Sequence, residues 1–333
     1  MERREFIVGT VGMGLGIALA NPTLFGNVLA ADKITPFAKV VIAHDPTVFS
    51  GDTLVHNRIT TMVDRIVISL TDISDPLEAW RKIITGDNSN RLSKTRVAIK
   101  VNTLSGKLMR THPELAMVVA HKLLDAGIPP GNVLVWDRAT DELEYAGYYI
   151  ERTGFLKVYG TDEVGYSNQL TSHRSIGSFF SRIVTEWATD LINIPVLKDH
   201  GIVGVTLGMK NFYGAIHNPN KYHPNVGDPY VADLSDVPLI RDKLRLVLVD
   251  GFDAQYHGGP PFQKEWVWRE CSLLASNDPV AVDRIGWEMI ENQRAKHGLP
   301  SLAEEKREPK YIFTAEKLGL GIADLDRIVQ VNV

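Results

Sequence analysis

The chain has 333 residues, a formal net charge of -4, 44% hydrophobic residues and 23% charged residues. This balance is typical of an ordinary globular protein with one large domain or two modest ones. It argues against a nucleic-acid-binding protein, which needs a basic face for the phosphate backbone. The single cysteine, Cys271, excludes an intrachain disulfide and a cysteine-ligated iron–sulfur cluster.

The N-terminus has the order of an export signal. Arg3 and Arg4 precede an apolar, glycine-rich stretch that begins at Val8, and small residues follow up to Ala31. A basic start, a short apolar core and small residues at the cut are typical of a cleaved signal peptide. The paired arginines resemble a twin-arginine signal, so residues 1–31 are predicted to engage the twin-arginine export machinery. The mature protein is then expected to be periplasmic or extracellular.

The alternative for this segment is a retained membrane anchor. Its apolar stretch is shorter than the roughly 20 residues that span a bilayer. We therefore favour cleavage, which leaves no stable membrane span. Residues 32–333 are predicted to form a single α/β domain, and a division into two lobes is the alternative.

Short β-branched runs alternate with helical stretches along the mature chain. The predicted strands are Val40–Ala43, Val97–Val101, Val133–Trp136, Leu191–Ile194, Leu244–Val249 and Arg327–Val333. The predicted helices are Leu54–Leu70, His112–Gly127, Asp141–Arg152, Ile202–Tyr213 and Asp278–Asn292. This alternation predicts a mostly parallel sheet flanked by helices. Residues 214–238 are polar and lack periodicity, which indicates a lid-like or disordered segment.

Several predicted strands end in polar residues. These residues are Lys100, Asn102 and Ser105, then Asp137 and Arg138, then Lys198, Asp199 and His200, and finally Asp250 and Asp253. In an open parallel sheet such residues converge where ligands bind. Each one alone also fits a turn or a helix cap. Lys100 and Lys198 differ, because an ammonium group in an apolar strand needs an anionic partner.

The segment Leu197–Gly214 concentrates glycine and basic residues. Four glycines each weaken a helix by up to about 1 kcal/mol relative to alanine, so close backbone contact is expected there. A helix that begins after Gly201 would offer free N–H groups to an anion beside His200 and Lys210. The segment therefore suits a carboxylate or phosphate ligand. The alternative is a tightly packed helix with snorkelling lysines.

Two kinds of metal site are conceivable. His200, His217 and His223 are close in sequence, but their spacing matches no standard zinc motif. Asp137 and Asp250 would instead suit a hard divalent cation. The chain has no nucleophile elbow, P-loop or dinucleotide fingerprint after its first strand.

Four segments resemble a known family. They are Val97–Asn102, Pro195–His200, Met209–Gly214 and Asn277–Asp283. In order and spacing they resemble the family catalogued as "domain of unknown function 362", over about Lys39 to Gln293. The resemblance implies the fold and the location of the site, and it implies no reaction. Some relatives carry a ferredoxin-like iron–sulfur module, but this chain lacks the cysteines for it.

The predicted function is an exported enzyme that acts on a small anionic carboxylate or phosphate compound. The predicted catalytic residues are His200 as acid–base, Lys198 and Asp137. The predicted ligand-binding residues are Lys100, Asn102, Lys210 and Asn211. Asp137 and Asp250 are the candidate ligands of a divalent metal, the one cofactor considered.

Two alternatives remain open for the function. One is a non-catalytic periplasmic binding or redox-accessory protein, which would use the same lysines. The other is an exported structural protein, whose glycine-rich segment only packs. The second alternative predicts no cleft at the strand ends.

Overall fold

The computed structural model describes residues 37–333, and the predicted export signal lies outside these residues. The described residues belong to one compact unit, Thr35–Val333. None of the helices within this part of the chain has the length and hydropathy that crossing a bilayer requires.

Most strands belong to one mixed sheet. The strands are β1 Ala38–His44, β2 Phe49–Ser50, β3 Thr53–Leu54, β4 Val97–Lys100, β5 Val133–Trp136, β6 Leu156–Val158, β7 Thr171–His173, β8 Ile176–Ser178, β9 Asp190–Asn193, β10 Val196–His200, β11 Gly204–Thr206, β12 Leu244–Gln255, β13 Val267–Ser276 and β14 Ile328–Asn332. The large sheet has the order β14-β1-β13-β12-β9-β4-β5-β6, and β10 and β11 extend it beside β12. Its pairs are parallel except those of β13 and of β10 with β11.

The long strand β12 has two parallel neighbours in succession. Its first half pairs with β9, with Leu244 opposite Leu191. Its second half pairs with β10, with Val196 opposite Asp250. Pro195 lies between β9 and β10. It interrupts the pairing with β12, because its ring nitrogen has no hydrogen to donate to a backbone hydrogen bond.

Helices cover both faces of the sheet. They are α1 His56–Thr71, α2 Pro76–Thr85, α3 Pro113–Asp125, α4 Thr140–Tyr145, α5 Gly208–Asn211, α6 Tyr230–Ser235, α7 Pro238–Arg241, α8 Pro279–Lys296 and α9 Tyr311–Lys317. The side chains of the strands alternate between two apolar cores. Val41 and Ile99 pack against α1–α3, whereas Val40 and Ala98 pack into the core that contains residues of α5–α9. This confirms the predicted α/β architecture with a mostly parallel sheet.

The prediction of a helix or helical turn over Ile202–Tyr213 is wrong for its first half and right only from Gly208 onward. Gly204 has a φ of +85°, a conformation that turns the chain back on itself after β10. The result is the strand β11, antiparallel to β10 with Thr206 opposite Lys198, followed by the short helix α5. Among the described residues, no helix begins directly after Gly201, so the anion-binding helix terminus expected there is absent.

The polar segment 214–238 contains several short helical elements. Pro219–Tyr222 and Asn225–Gly227 form 3-10 turns, and α6 buries Val231 and Leu234. These elements are too short to show a helical period in the sequence. Pro219 and Asn220 of the first of these turns line the cavity described next.

Candidate functional site

A cavity of about 390 Å³ lies beside the carboxyl ends of β4, β5 and β10. Its wall is formed by Lys100, Asn102, Leu104, Asp137, Arg138, Glu142, His200, Ile202, Thr206, Lys210, Asn211, Tyr213, Gly214, Pro219, Asn220, His223 and Pro260. Six of the predicted site residues therefore line the same cavity: Lys100, Asn102, Asp137, His200, Lys210 and Asn211. Lys198 and Asp250 do not line the cavity.

Lys100 and Asp137 form a buried ion pair in the wall. The Lys100 Nζ lies 2.6 Å from the Asp137 Oδ1 and donates to the carbonyl of Val101. The Asp137 Oδ2 accepts from the backbone N–H and the hydroxyl of Thr103. Gly214 packs so closely that a Cβ there would lie 2.9 Å from both the Lys100 Nζ and the Asp137 Oδ1. Asp137 therefore neutralises Lys100, and only glycine fits against the pair.

Asparagine amides form a hydrogen-bonded chain that begins in the cavity wall. The Asn102 Nδ2 donates to the Asn211 Oδ1 at 3.0 Å, and the Asn211 Nδ2 donates to the Asn193 Oδ1 at 2.7 Å. The Asn193 Nδ2 then donates to the carbonyl of Gly208. These bonds define which way each amide faces. Asn193 was not predicted, although a buried asparagine at the end of a strand was a signal for it.

Lys198 lies behind Asn102 and is fully buried. Its Nζ donates to the Asn102 Oδ1, the Ser105 Oγ and the Met109 carbonyl at 3.0, 3.2 and 3.3 Å. Burial lowers the pKa of Lys198 to about 7, although Asp137 and Asp199 oppose this shift. The lysine thus supports Asn102 from outside the cavity, with its own hydrogen bonds satisfied.

Lys210 is the lysine of the cavity wall that lacks a polar partner. Its Nζ lies 3.8 Å from the centre of the Tyr213 ring. Within residues 37–333, no carboxylate or other hydrogen-bond acceptor contacts this nitrogen. Burial, together with the charges of Lys198 and Lys100, lowers the pKa of Lys210 to about 7. An anion in the cavity would supply the missing partner.

A buried carboxylate positions the helix that carries Lys210. The Asp283 Oδ1 and Oδ2 accept from the backbone N–H groups of Gly208 and Met209 at 2.7 and 3.0 Å. Burial raises the pKa of Asp283 to about 7, and the two N–H groups counteract this shift. Asp283 belongs to the last of the four resemblance segments, but the sequence assigned it no role.

His200 presents one nitrogen to its own backbone turn. The Nδ1 accepts from the N–H groups of Ile202 and Val203 at 3.1 and 3.4 Å. A neutral ring with an accepting Nδ1 carries its proton on Nε2. Burial lowers the pKa of His200 to about 2, and the charge of Lys210 also lowers it. The ring of His223 lies 5.5 Å away. At neutral pH His200 is therefore a hydrogen-bond donor, while its predicted acid–base role stays a prediction.

Asp250 lies within β12 instead of at a strand end, because that strand continues to Gln255. Its Oδ2 accepts from the backbone N–H of His112 at 2.7 Å and lies 2.8 Å from the Nδ1 of that ring. Burial lowers the pKa of His112, but the charge and hydrogen bond of Asp250 outweigh burial and raise it to about 9. The structure thus pairs Asp250 with His112 and leaves Asp137 in the cavity wall.

The described residues contain no group of three or more His, Cys, Asp and Glu side chains that could hold a metal ion. His217 packs against the ring of Tyr166 and does not line the cavity. Arg138, which precedes α4, and Glu142, in the first turn of that helix, form an ion pair. Both are wall residues to which the sequence assigned no role. Their i,i+4 spacing at the start of α4 was a signal for the pair.

The fold and site define an α/β protein with a buried basic cavity at the strand ends. Residues 97–288 match the model of the family described as "Domain of unknown function (DUF362)", and the chain belongs to this family. Every site residue discussed above lies within the matched range. The predicted family resemblance is thereby confirmed, and the description of the family states no activity.

A crystal structure of a Thermotoga maritima protein, from the Northeast Structural Genomics Consortium, is similar to this chain. The two are 12% identical with a TM-score of 0.43, and the match covers 75% of this chain and 61% of the other. The chain thus spans less than two thirds of that protein. No curated protein matches the chain.

Proposed function

We propose that this protein is an exported enzyme that binds a small carboxylate or phosphate compound in the cavity. The observation that carries the proposal is Lys210, a buried lysine that faces the cavity without an anionic partner. Lys100 and Lys198 lower its pKa, so the local charge is positive. Asp137 already pairs with Lys100. A bound anion would relieve this imbalance.

The wall residues suggest how such a ligand is held. Lys210 supplies the positive charge. Lys100 and Asp137 form an ion pair that also lines the cavity. His200 offers its Nε2–H, and Asn211 has its amide orientation determined by its neighbours. Asn102 is held by Lys198 on the side away from the cavity. This arrangement orients a ligand by a few polar groups in a concave site.

If the protein is an enzyme, one of its buried lysines would be the group that transfers a proton. The pKa values of Lys198 and Lys210 are lowered to about 7, which suits general acid–base catalysis near neutrality. Lys210 reaches the cavity, whereas Lys198 acts through Asn102. The export part of the proposal rests on the twin-arginine resemblance of residues 1–31.

Thermal unfolding of the purified mature protein tests the binding. We expect millimolar phosphate or a small carboxylate to raise the Tm, because a ligand of the native state alone stabilises it. Lys210→Met should abolish the rise. Lys157→Met is the matched control, since Lys157 also lies over an aromatic ring, that of Trp187, but outside the cavity. An equal rise in Lys210→Met, or no rise with any anion, would refute the proposal.

One observation favours the second candidate, a non-catalytic binding protein. His200 acts as a neutral donor whose pKa is lowered to about 2, which gives it no role as a base near neutrality. Incubation of a ligand that raises the Tm, followed by chromatography and mass spectrometry, separates the two candidates. Unchanged recovery of every such ligand supports the binding protein, and a new product supports the enzyme.

A further inference from the structure

The surroundings of Lys210 suit covalent chemistry as well as ion pairing. Its amine reaches the cavity and has no hydrogen bond to lose among the described residues. The other two lysines are already engaged: the Lys100 Nζ by Asp137 and Val101, and the Lys198 Nζ by three neutral oxygens. Lys210 is therefore the one lysine of this cluster that is free to react.

We propose that Lys210 forms an imine with the carbonyl carbon of an anionic oxo compound, such as a 2-oxo acid. This inference rests on the proposed function, since the acid group of the ligand is what the basic cavity would hold. The carbonyl group adjoins the carboxylate in a 2-oxo acid. A ligand whose carboxylate is attracted by the charged form of Lys210 therefore brings its carbonyl carbon close to the same amine. The neutral form that reacts is also populated near neutrality, because the pKa of Lys210 is lowered to about 7.

Two features of the site support the nucleophilic role. A lysine becomes a nucleophile when burial and neighbouring cations favour its neutral form. Lys210 has both, and its pKa is lowered to about 7 as a result. The face of the Tyr213 ring lies against the Nζ on one side without accepting a conventional hydrogen bond. The lone pair is thus left available on the side of the cavity.

The reaction balances without an oxidant or reductant. The neutral Lys210 amine attacks the carbonyl carbon, a C–N bond forms, and the carbonyl oxygen takes up a proton to give a carbinolamine. The nitrogen loses its two protons over the two steps, and the oxygen leaves as water when the C=N bond forms. The Nε2–H of His200 is a cavity donor that can polarise the carbonyl oxygen.

Borohydride trapping tests the inference on the purified mature protein. Sodium borohydride reduces an imine to a stable secondary amine, which peptide mass spectrometry locates. With pyruvate as the probe, we expect one label per chain at Lys210 in the native protein and in Lys157→Met. The label should be lost in Lys210→Met and also in Lys210→Arg, which keeps the charge but cannot form an imine. Inorganic phosphate should protect Lys210 from labelling.

The outcomes separate this inference from the proposed function. Labelling of Lys210 at no more than the level of the exposed Lys221 would overturn the imine, and a rise in Tm with phosphate would still leave the anion site standing. If phosphate neither raises the Tm nor protects, but pyruvate labels Lys210 selectively, the imine stands and the anion site falls. Circular dichroism of both Lys210 variants shows whether a lost label reflects lost folding.

Discussion

At the scale of single residues, the burial of Lys100, Lys198 and Lys210 in one region of the structure determines the chemistry of the candidate site. The partner of Lys100 could be anticipated, since an ammonium in an apolar strand needs a carboxylate and Asp137 ends the next strand. The partners of Lys198 could not be anticipated, because they are neutral groups from a loop. The pairing of Asp250 with His112 joins positions 138 residues apart, and a sequence pattern does not reveal such a contact.

Gly214 gives the sharpest prediction at this scale. Alanine would place a Cβ 2.9 Å from the Lys100–Asp137 pair, so we expect Gly214→Ala to lower the free energy of unfolding by about 1–3 kcal/mol. The ligand-induced rise in Tm should shrink as well. Gly177→Ala is the control, because nothing lies within 4 Å of its added Cβ. Urea titration of both variants measures the difference, and equal losses would contradict the close-packing argument.

At the scale of elements, periodic segments were predictable and short ones were not. The predicted helices over Leu54–Leu70 and His112–Gly127 are confirmed by α1 and α3. The helix predicted for Asp141–Arg152 is shorter and ends before Gly147, whose φ of +98° stops it. A helix of several turns shows its period in the sequence, whereas elements of three or four residues, such as β11 and α5, do not.

Two longer elements were missed for a different reason. The strand β13, Val267–Ser276, mixes charged and apolar residues because its first half is partly exposed. It runs antiparallel between β1 and β12, so it breaks the alternation of strands and helices that guided the prediction. The helix α2, Pro76–Thr85, follows α1 directly and so lies outside the same alternation.

The position of α5 depends on Asp283, which accepts from the first two N–H groups of this helix. Asp283→Ala would leave the N–H groups of Gly208 and Met209 without acceptors, at about 1–3 kcal/mol for each buried group. Because α5 carries Lys210, the response of the Tm to phosphate should also be lost. Asp283→Asn keeps one carbonyl acceptor. Its free energy of unfolding and its Tm response to phosphate should therefore fall less than those of Asp283→Ala. If Asp283→Ala kept the full response to phosphate, Asp283 would not be what positions Lys210.

At the scale of the whole molecule, the N-terminal segment carries a prediction about export. Replacing Arg3 and Arg4 together by lysine keeps the charge but removes the paired arginines that resemble a twin-arginine signal. We expect the protein to remain in the cytoplasmic fraction of a bacterium that has this export route. Replacing Lys39, which lies beyond the predicted signal, by arginine is the control. Equal export of the double variant would argue against the twin-arginine route.

The stability of the whole molecule should respond to pH through the buried lysines. Lys198 and Lys210 have pKa values lowered to about 7 from 10.5, so between these values the unfolded chain binds more protons than the folded one. Without a ligand, each lysine therefore makes the free energy of unfolding rise with pH, by at most about 1.4 kcal/mol per pH unit. His112 acts in the opposite direction: its raised pKa stabilises the fold below about pH 6.5, and this contribution is lost as the pH rises through about 9.

A comparison of variants isolates the contribution of Lys210 from that of His112. In urea titrations from about pH 7 to about pH 10, Lys210→Met should gain less stability with pH than the native protein, because it lacks one titrating lysine. Lys157→Met should follow the native protein. Phosphate should flatten the native curve, because an anion beside Lys210 favours its charged form and raises its pKa. Parallel curves for Lys210→Met and the native protein would mean that Lys210 keeps its charge without a ligand. That result would remove the neutral amine that the imine needs, and it would leave the anion site standing.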